Sequence, residues 1–227
     1  MLKTGFEFTT AIVDLITGLV LIPFVFLIRK KEGNPTLKKY WFCFLLSLSV
    51  GNILGFVVHG IAWTNLQFDI WWIVVYIAMY LIIAFLFIIT LFNFTKGKRP
   101  VKKDLFITFS IILLFVIASS IHEFYSDNNI IIYVIFAGIV GLPCIAYYIY
   151  NAFKHHDKAG LTMLIAAPFL IVGLIFELTD IGTQSFSLFG QVVEFNKHTV
   201  FHILLLACCL VFYFVAKADI KREIPEK

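Results

Sequence analysis

Seven long apolar stretches separated by short polar connections account for most of this chain: residues about 6–28, 40–63, 71–94, 104–121, 129–151, 160–179 and 198–216. Roughly 20 apolar residues at 1.5 Å rise each cover about 30 Å of hydrocarbon, so each stretch is long enough to span a bilayer. Inside hydrocarbon every backbone N–H and C=O must be bonded within its own segment, which predicts an α-helix for each. The β-branched run around Ile82–Ile83 is no argument for a strand there, and no segment shows the alternation of a barrel. The predicted fold is therefore an all-α integral membrane protein, a single domain of seven transmembrane helices over residues 1–227. Pro23, Pro143 and Pro168 fall inside the first, fifth and sixth stretches and are expected to bend them. Trp63, Trp71 and Trp72 flank the second connection, as interfacial indoles do. The longest polar connection, about 180–197, is expected to lie over one mouth of the bundle. The first stretch lacks a basic leading segment and a small-residue cleavage site, so it is expected to be retained as a helix.

Composition agrees with this pattern. A chain that is 61% hydrophobic with mean hydropathy +0.95 has more apolar surface than a soluble domain of its size can bury. Cys43, Cys144, Cys208 and Cys209 lie in apolar runs without metal-knuckle or redox spacing, and read as packing residues. The net charge of +4 resides in connections rather than in a basic face, which argues against nucleic acid as a partner. Its distribution sets orientation. Sixteen of the 18 Lys and Arg residues fall in the first, third and fifth connections and the C-terminal tail; only Lys3 and Lys197 fall on the other side. The positive-inside rule then places the N-terminus outside and the C-terminus in the cytoplasm, in the inner membrane if the source is bacterial.

Ionisable residues within spans are costly unless paired or functional. Four of the six histidines and several carboxylates gather near the non-cytoplasmic side: His59, His122, His198, His202, Asp14, Asp69, Glu123, Glu177 and Asp180. His155 and His156 belong to a basic connection and read as solvated. His198 and His202 are four residues apart and share a helix face. His59 lies four residues, roughly 6 Å, below Trp63 on the second helix, at matching depth. Three imidazoles from two helices suit a zinc site, with Asp69 at the start of the third helix as general base for a bound water. Asp14 and Glu177 are expected to orient imidazoles or to bond between helices. His122 reads as an interfacial residue.

This arrangement resembles the superfamily of seven-helix membrane hydrolases that includes alkaline ceramidases and the progestin/adiponectin receptors. The resemblance is carried by His59 at the end of Gly51-Asn52-Ile53-Leu54-Gly55-Phe56-Val57-Val58-His59, by Asp69 ten residues on, by His198-Thr199-Val200-Phe201-His202, and by the N-out topology. It implies zinc held by His59, His198 and His202, Asp69 assisting the water, and a membrane lipid as substrate with its amide or ester bond cleaved. One departure stands out: where the superfamily has Ser four residues before the first His, this chain has Gly55, and the superfamily's acidic N-terminal calcium-binding segment has no counterpart. Two other functions fit the same residues. One is a haem protein with His59 and His202 as axial ligands. The other is a non-catalytic receptor, sensor or transport element whose polar layer binds a ligand or locks helices.

Overall fold

The computed structural model describes residues 6–98, 101–125, 131–178, 184–188 and 191–222. Among these the chain is helical, with one short antiparallel strand pair. The helices are α1 (Phe6–Arg29), α2 (Pro35–Gly60), α3 (Asn65–Phe94), α4 (Val101–Tyr125), α5 (Ile131–Phe136), α6 (Leu142–His155), α7 (Lys158–Leu178) and α8 (Lys197–Ile220). A π-helical turn, Ala137–Gly141, joins α5 to α6, so these two run on as one rod and the bundle has seven. Six of the rods are long and apolar enough to cross a membrane; α7 contributes a shorter apolar stretch.

Local chemistry sets the ends. The Asn34 side chain accepts from the N–H groups of Thr36 and Leu37 with Pro35 beginning the helix, so α2 starts a turn earlier than hydropathy alone predicts. Thr64 and Gln67 cap α3 reciprocally, which starts that helix at Asn65 rather than at residue 71 as hydropathy alone predicts. Asn196 caps α8 by accepting from Thr199 N–H at 3.0 Å. Left-handed residues stop two helices: His156 (φ 51°) after α6, and Lys96 (φ 50°) with Gly97 (φ 69°) after α3.

Pro23 and Pro168 lie within continuous helices. Pro143 sits at the second residue of α6, directly after the π turn. A proline has no N–H and its ring crowds the carbonyl four residues back, here Ile139 within the turn; the wider π spacing removes that conflict. The Cys144 thiol donates to the Val140 carbonyl at 3.1 Å in the same turn. The polar connection before α8 carries strands β1 (Gln184–Leu188) and β2 (Gln191–Phe195), paired from Gln184↔Phe195 to Leu188↔Gln191. Its Ser-Phe-Ser-Leu run, residues 185–188, alternates polar and apolar residues, a strand signal within a stretch that reads overall as a polar loop.

The rods form a closed ring in which α1 packs on α2 and α8, α2 on α3, α3 on the α5–α6 rod, α6 on α7, and α7 on α8. Among the described residues α4 packs outside this ring, on α3 and α5. Its Phe106, Leu113 and Leu114 are 60–74% exposed. Helices α1 and α2 approach closely at Gly18, whose carbonyl accepts from Ser49 Oγ at 2.8 Å; a Cβ there would stand 2.6 Å from Ile53 Cγ1. Helices α6 and α7 meet at Gly160, where a Cβ would stand 2.3 Å from the Tyr148 carbonyl.

One end of the ring is closed by a polar knot. Asp219, fully buried near the end of α8, accepts from Trp41 Nε1 of α2 (2.9 Å), the Asn93 amide of α3 (2.8 and 2.9 Å) and Tyr148 OH of α6 (3.1 Å). Arg222 follows at 3.4 Å and also pairs with Asp157, between α6 and α7. Burial lowers the Arg222 pKa, but the attraction of Asp219 and Asp157 outweighs it and the net shift is upward. Four rods are thereby joined through one carboxylate.

Candidate metal centre

At the opposite end of the bundle, three elements converge. Asp14 comes from α1, His59 from the last turn of α2, and His202 from the second turn of α8. One ligand atom from each lies within 4.8 Å of the others, the only such group of three among the described residues. Helix order explains the meeting. Because α1 packs against both α2 and α8, a side chain on its inner face is in reach of both histidines. All three lie toward the same end of the bundle: His59 is one residue from the end of α2, His202 five residues into α8, and Asp14 eight into α1.

Asp14 is 1% exposed, while His59 and His202 are half-buried. Asp14 Oδ1 meets His202 Nδ1 directly. The His59 and His202 rings stand nearly perpendicular, centroids 5.7 Å apart, and the edge of Trp72 from α3 packs against His59 at the same distance. The frame is fastened beside the group by Thr10 and Thr199, whose hydroxyls bond at 3.1 Å between α1 and α8.

The residues fit a metal ion by chemistry and by satisfaction. Two imidazoles and a carboxylate are a donor set suited to zinc and other first-row divalent ions. Asp14 Oδ2 is buried and has no hydrogen-bond partner among the described residues, leaving an acceptor oxygen available to a cation.

Gly55 gains a physical role here. A Cβ at this position would stand 2.5 Å from Asp14 Oδ2 and 3.1 Å from its Cγ. The Asp14 carboxylate, reaching across from α1, fills the space that a side chain at position 55 would take.

Of the residues singled out from sequence, the structure brings together His59 and His202, and adds Asp14 as a member of the group. His198, one turn before His202, is half-buried and stands outside it, as does Asp69 in the second turn of α3. Asp69 is three residues before Trp72, hence on the same side of α3 as the indole touching His59. His122 lies on the peripheral α4. Asp180 falls outside the described residues, as do the side chains of Glu123 and Glu177.

Residues 9–221 match the model of a family described as a family of unknown function (DUF6962). No curated protein matches the chain significantly.

Proposed function

The chain belongs to this DUF6962 family, and we propose that it is an integral membrane metalloprotein, with zinc held by His59, His202 and Asp14 beneath the non-cytoplasmic headgroups. The observation that carries the proposal is the convergence of two imidazoles and a buried carboxylate from three helices on one point. Three donors within 4.8 Å suit a single small ion better than a haem, whose ring needs clear space around the axis between its two axial histidines. The cation asymmetry supports an outside N-terminus and a cytoplasmic C-terminus.

The reaction we propose is hydrolysis of a lipid amide or ester, in keeping with the resemblance to the ceramidase and progestin/adiponectin receptor superfamily. When bound, zinc there would supply Lewis acidity, lowering the pKa of a water to about 7 and polarising a carbonyl. Asp14, whose carboxylate meets His202 Nδ1, would supply the negative charge that balances the ion. Asp69, on the His59-facing side of α3, is the candidate proton acceptor. The exposed apolar side chains of the outer surface, such as Leu113 and Leu114 of α4, suit contact with lipid acyl chains.

A competing reading, a metal-free imidazole–carboxylate lock between α1 and α8, draws on the same Asp14–His202 contact. Elemental analysis of the detergent-purified chain separates the two. The expected result is about one zinc per chain, lost in His59→Ala and His202→Ala and kept in His198→Ala; a metal-free wild-type protein that stays metal-free after zinc dialysis supports the lock.

A further inference from the structure

A second site lies at the far ends of α1 and α2, fifteen residues along α1 from Asp14 and so roughly 22 Å from it. A cavity of about 400 Å³ is lined by Arg29, Pro35, Lys38, Lys39, Phe42 and Cys43. Its size is within the range of small-ligand pockets, roughly 300–1,000 Å³. Arg29 ends α1, and Lys38 and Lys39 occupy the first turns of α2. The Arg29 guanidinium sits over the Phe42 ring at 5.1 Å. Three cations thus line the space, an aromatic ring forms the wall, and among the described residues no acidic side chain lines it. The first N–H groups of α2 are already bonded to Asn34, so anion binding here falls to the side chains.

Two apolar tracks leave this cavity. Along α2, Phe42, Leu46 and Val50 are spaced four apart on one face, and Leu46 and Val50 are exposed. Along α1, Phe26, Ile22 and Leu19 follow Arg29 at helical spacing and are all exposed. A cationic cup at the helix ends, with parallel apolar stripes running from it into the bundle's outer surface, has the form of a two-chain amphiphile.

We propose that this cavity holds the phosphate headgroup of an anionic phospholipid, its acyl chains lying along the two stripes. The proposal rests on the chain being embedded in a bilayer and not on the metal centre. Basic pockets beside spanning helices on the cation-rich side are suited to such lipids.

The test uses the full chain in detergent. Native mass spectrometry compares retention of dioleoyl phosphatidylglycerol with dioleoyl phosphatidylcholine, which share acyl chains. In parallel, maleimide labelling of Cys43 reads the cavity itself; Cys144, Cys208 and Cys209 are buried. Phosphatidylglycerol should be retained at least about tenfold over phosphatidylcholine and should slow Cys43 labelling. Both effects should vanish in the Arg29→Gln, Lys38→Gln, Lys39→Gln triple variant. If the triple variant does not fold, the single Lys38→Gln and Lys39→Gln variants should each show partial loss. Equal retention of the two lipids, or a preference that survives the substitutions, overturns the proposal. Protection of Cys43 by millimolar inorganic phosphate as strong as that by the lipid reassigns the cavity to a free anion and overturns it too.

Discussion

Substituting Gly55 by Ala adds one methyl group to a site where the structure leaves no room. The new Cβ would lie 2.5 Å from Asp14 Oδ2, against about 3.4 Å for an ordinary contact, so roughly 0.9 Å of movement is required. The carboxylate can turn away, which breaks its contact with His202 Nδ1; alternatively α1 can retreat from α2, which strains the Gly18–Ser49 contact. Overpacking of this kind costs about 1–3 kcal/mol, and loss of a hydrogen bond to a charged group about 1.5–3 kcal/mol. A displaced carboxylate should weaken zinc binding by at least about 10–100-fold, the usual penalty for disturbing a group that orients or ligates a metal. The assay is zinc affinity by competition with a chromophoric chelator, together with thermal unfolding, in a cycle with Asp14→Ala. Removing Asp14 removes the clash, so Gly55→Ala should change little in the Asp14→Ala background. Full additivity of the two substitutions, or wild-type zinc affinity in Gly55→Ala, would refute the idea that glycine is there to admit the carboxylate.

Further outcomes can be stated. Asp219→Ala should destabilise the protein by about 3–5 kcal/mol, because Arg222 and three other donors lose their shared acceptor in a buried setting; thermal unfolding in detergent measures it, and a loss under 1 kcal/mol would mean that water replaces the carboxylate. Gly160→Ala sets a methyl group 2.3 Å from the Tyr148 carbonyl and 2.7 Å from Ala152 N, backbone atoms that cannot swing aside, so α6 and α7 must part and the melting temperature should drop further than in Gly138→Ala, where no atom lies within 4 Å. Asp69→Asn should keep zinc while lowering hydrolysis of a lipid amide or ester by about 10²–10⁴-fold; unchanged turnover removes Asp69 from the chemistry.

The helical plan was legible in the sequence because hydrocarbon leaves few choices: a 20-residue apolar run has to satisfy its own backbone. His59 and His202 could also be paired from sequence, since depth along a spanning helix follows from counting residues at 1.5 Å each. Neighbour relations are different. Counting gives Asp14 a depth but not the fact that α1 stands between α2 and α8, and only that placement makes it a member of the group rather than one polar residue among several. Gly55 reads in sequence as the loss of a serine; its use becomes visible only when a Cβ is built against Asp14. The knot around Asp219 was missed altogether, because Trp41 and Asp219 are 178 residues apart and neither is unusual alone. The available signal was a carboxylate in the last turn of an apolar helix, with Asn93 near the end of another, each costly without a partner.

In chain order α8 follows every other helix described, and it supplies the closing member of both polar clusters. Asp14 and His59 are made early and wait for His202; Trp41, Asn93 and Tyr148 wait for Asp219. A nascent chain that has not yet made α8 therefore has neither the complete Asp14–His59–His202 group nor the carboxylate that joins the opposite end. If the group holds a metal as proposed, metal loading would report that α8 has docked, and a quality-control protease that attacks loosely assembled bundles would meet this protein at its most vulnerable before α8 is in place.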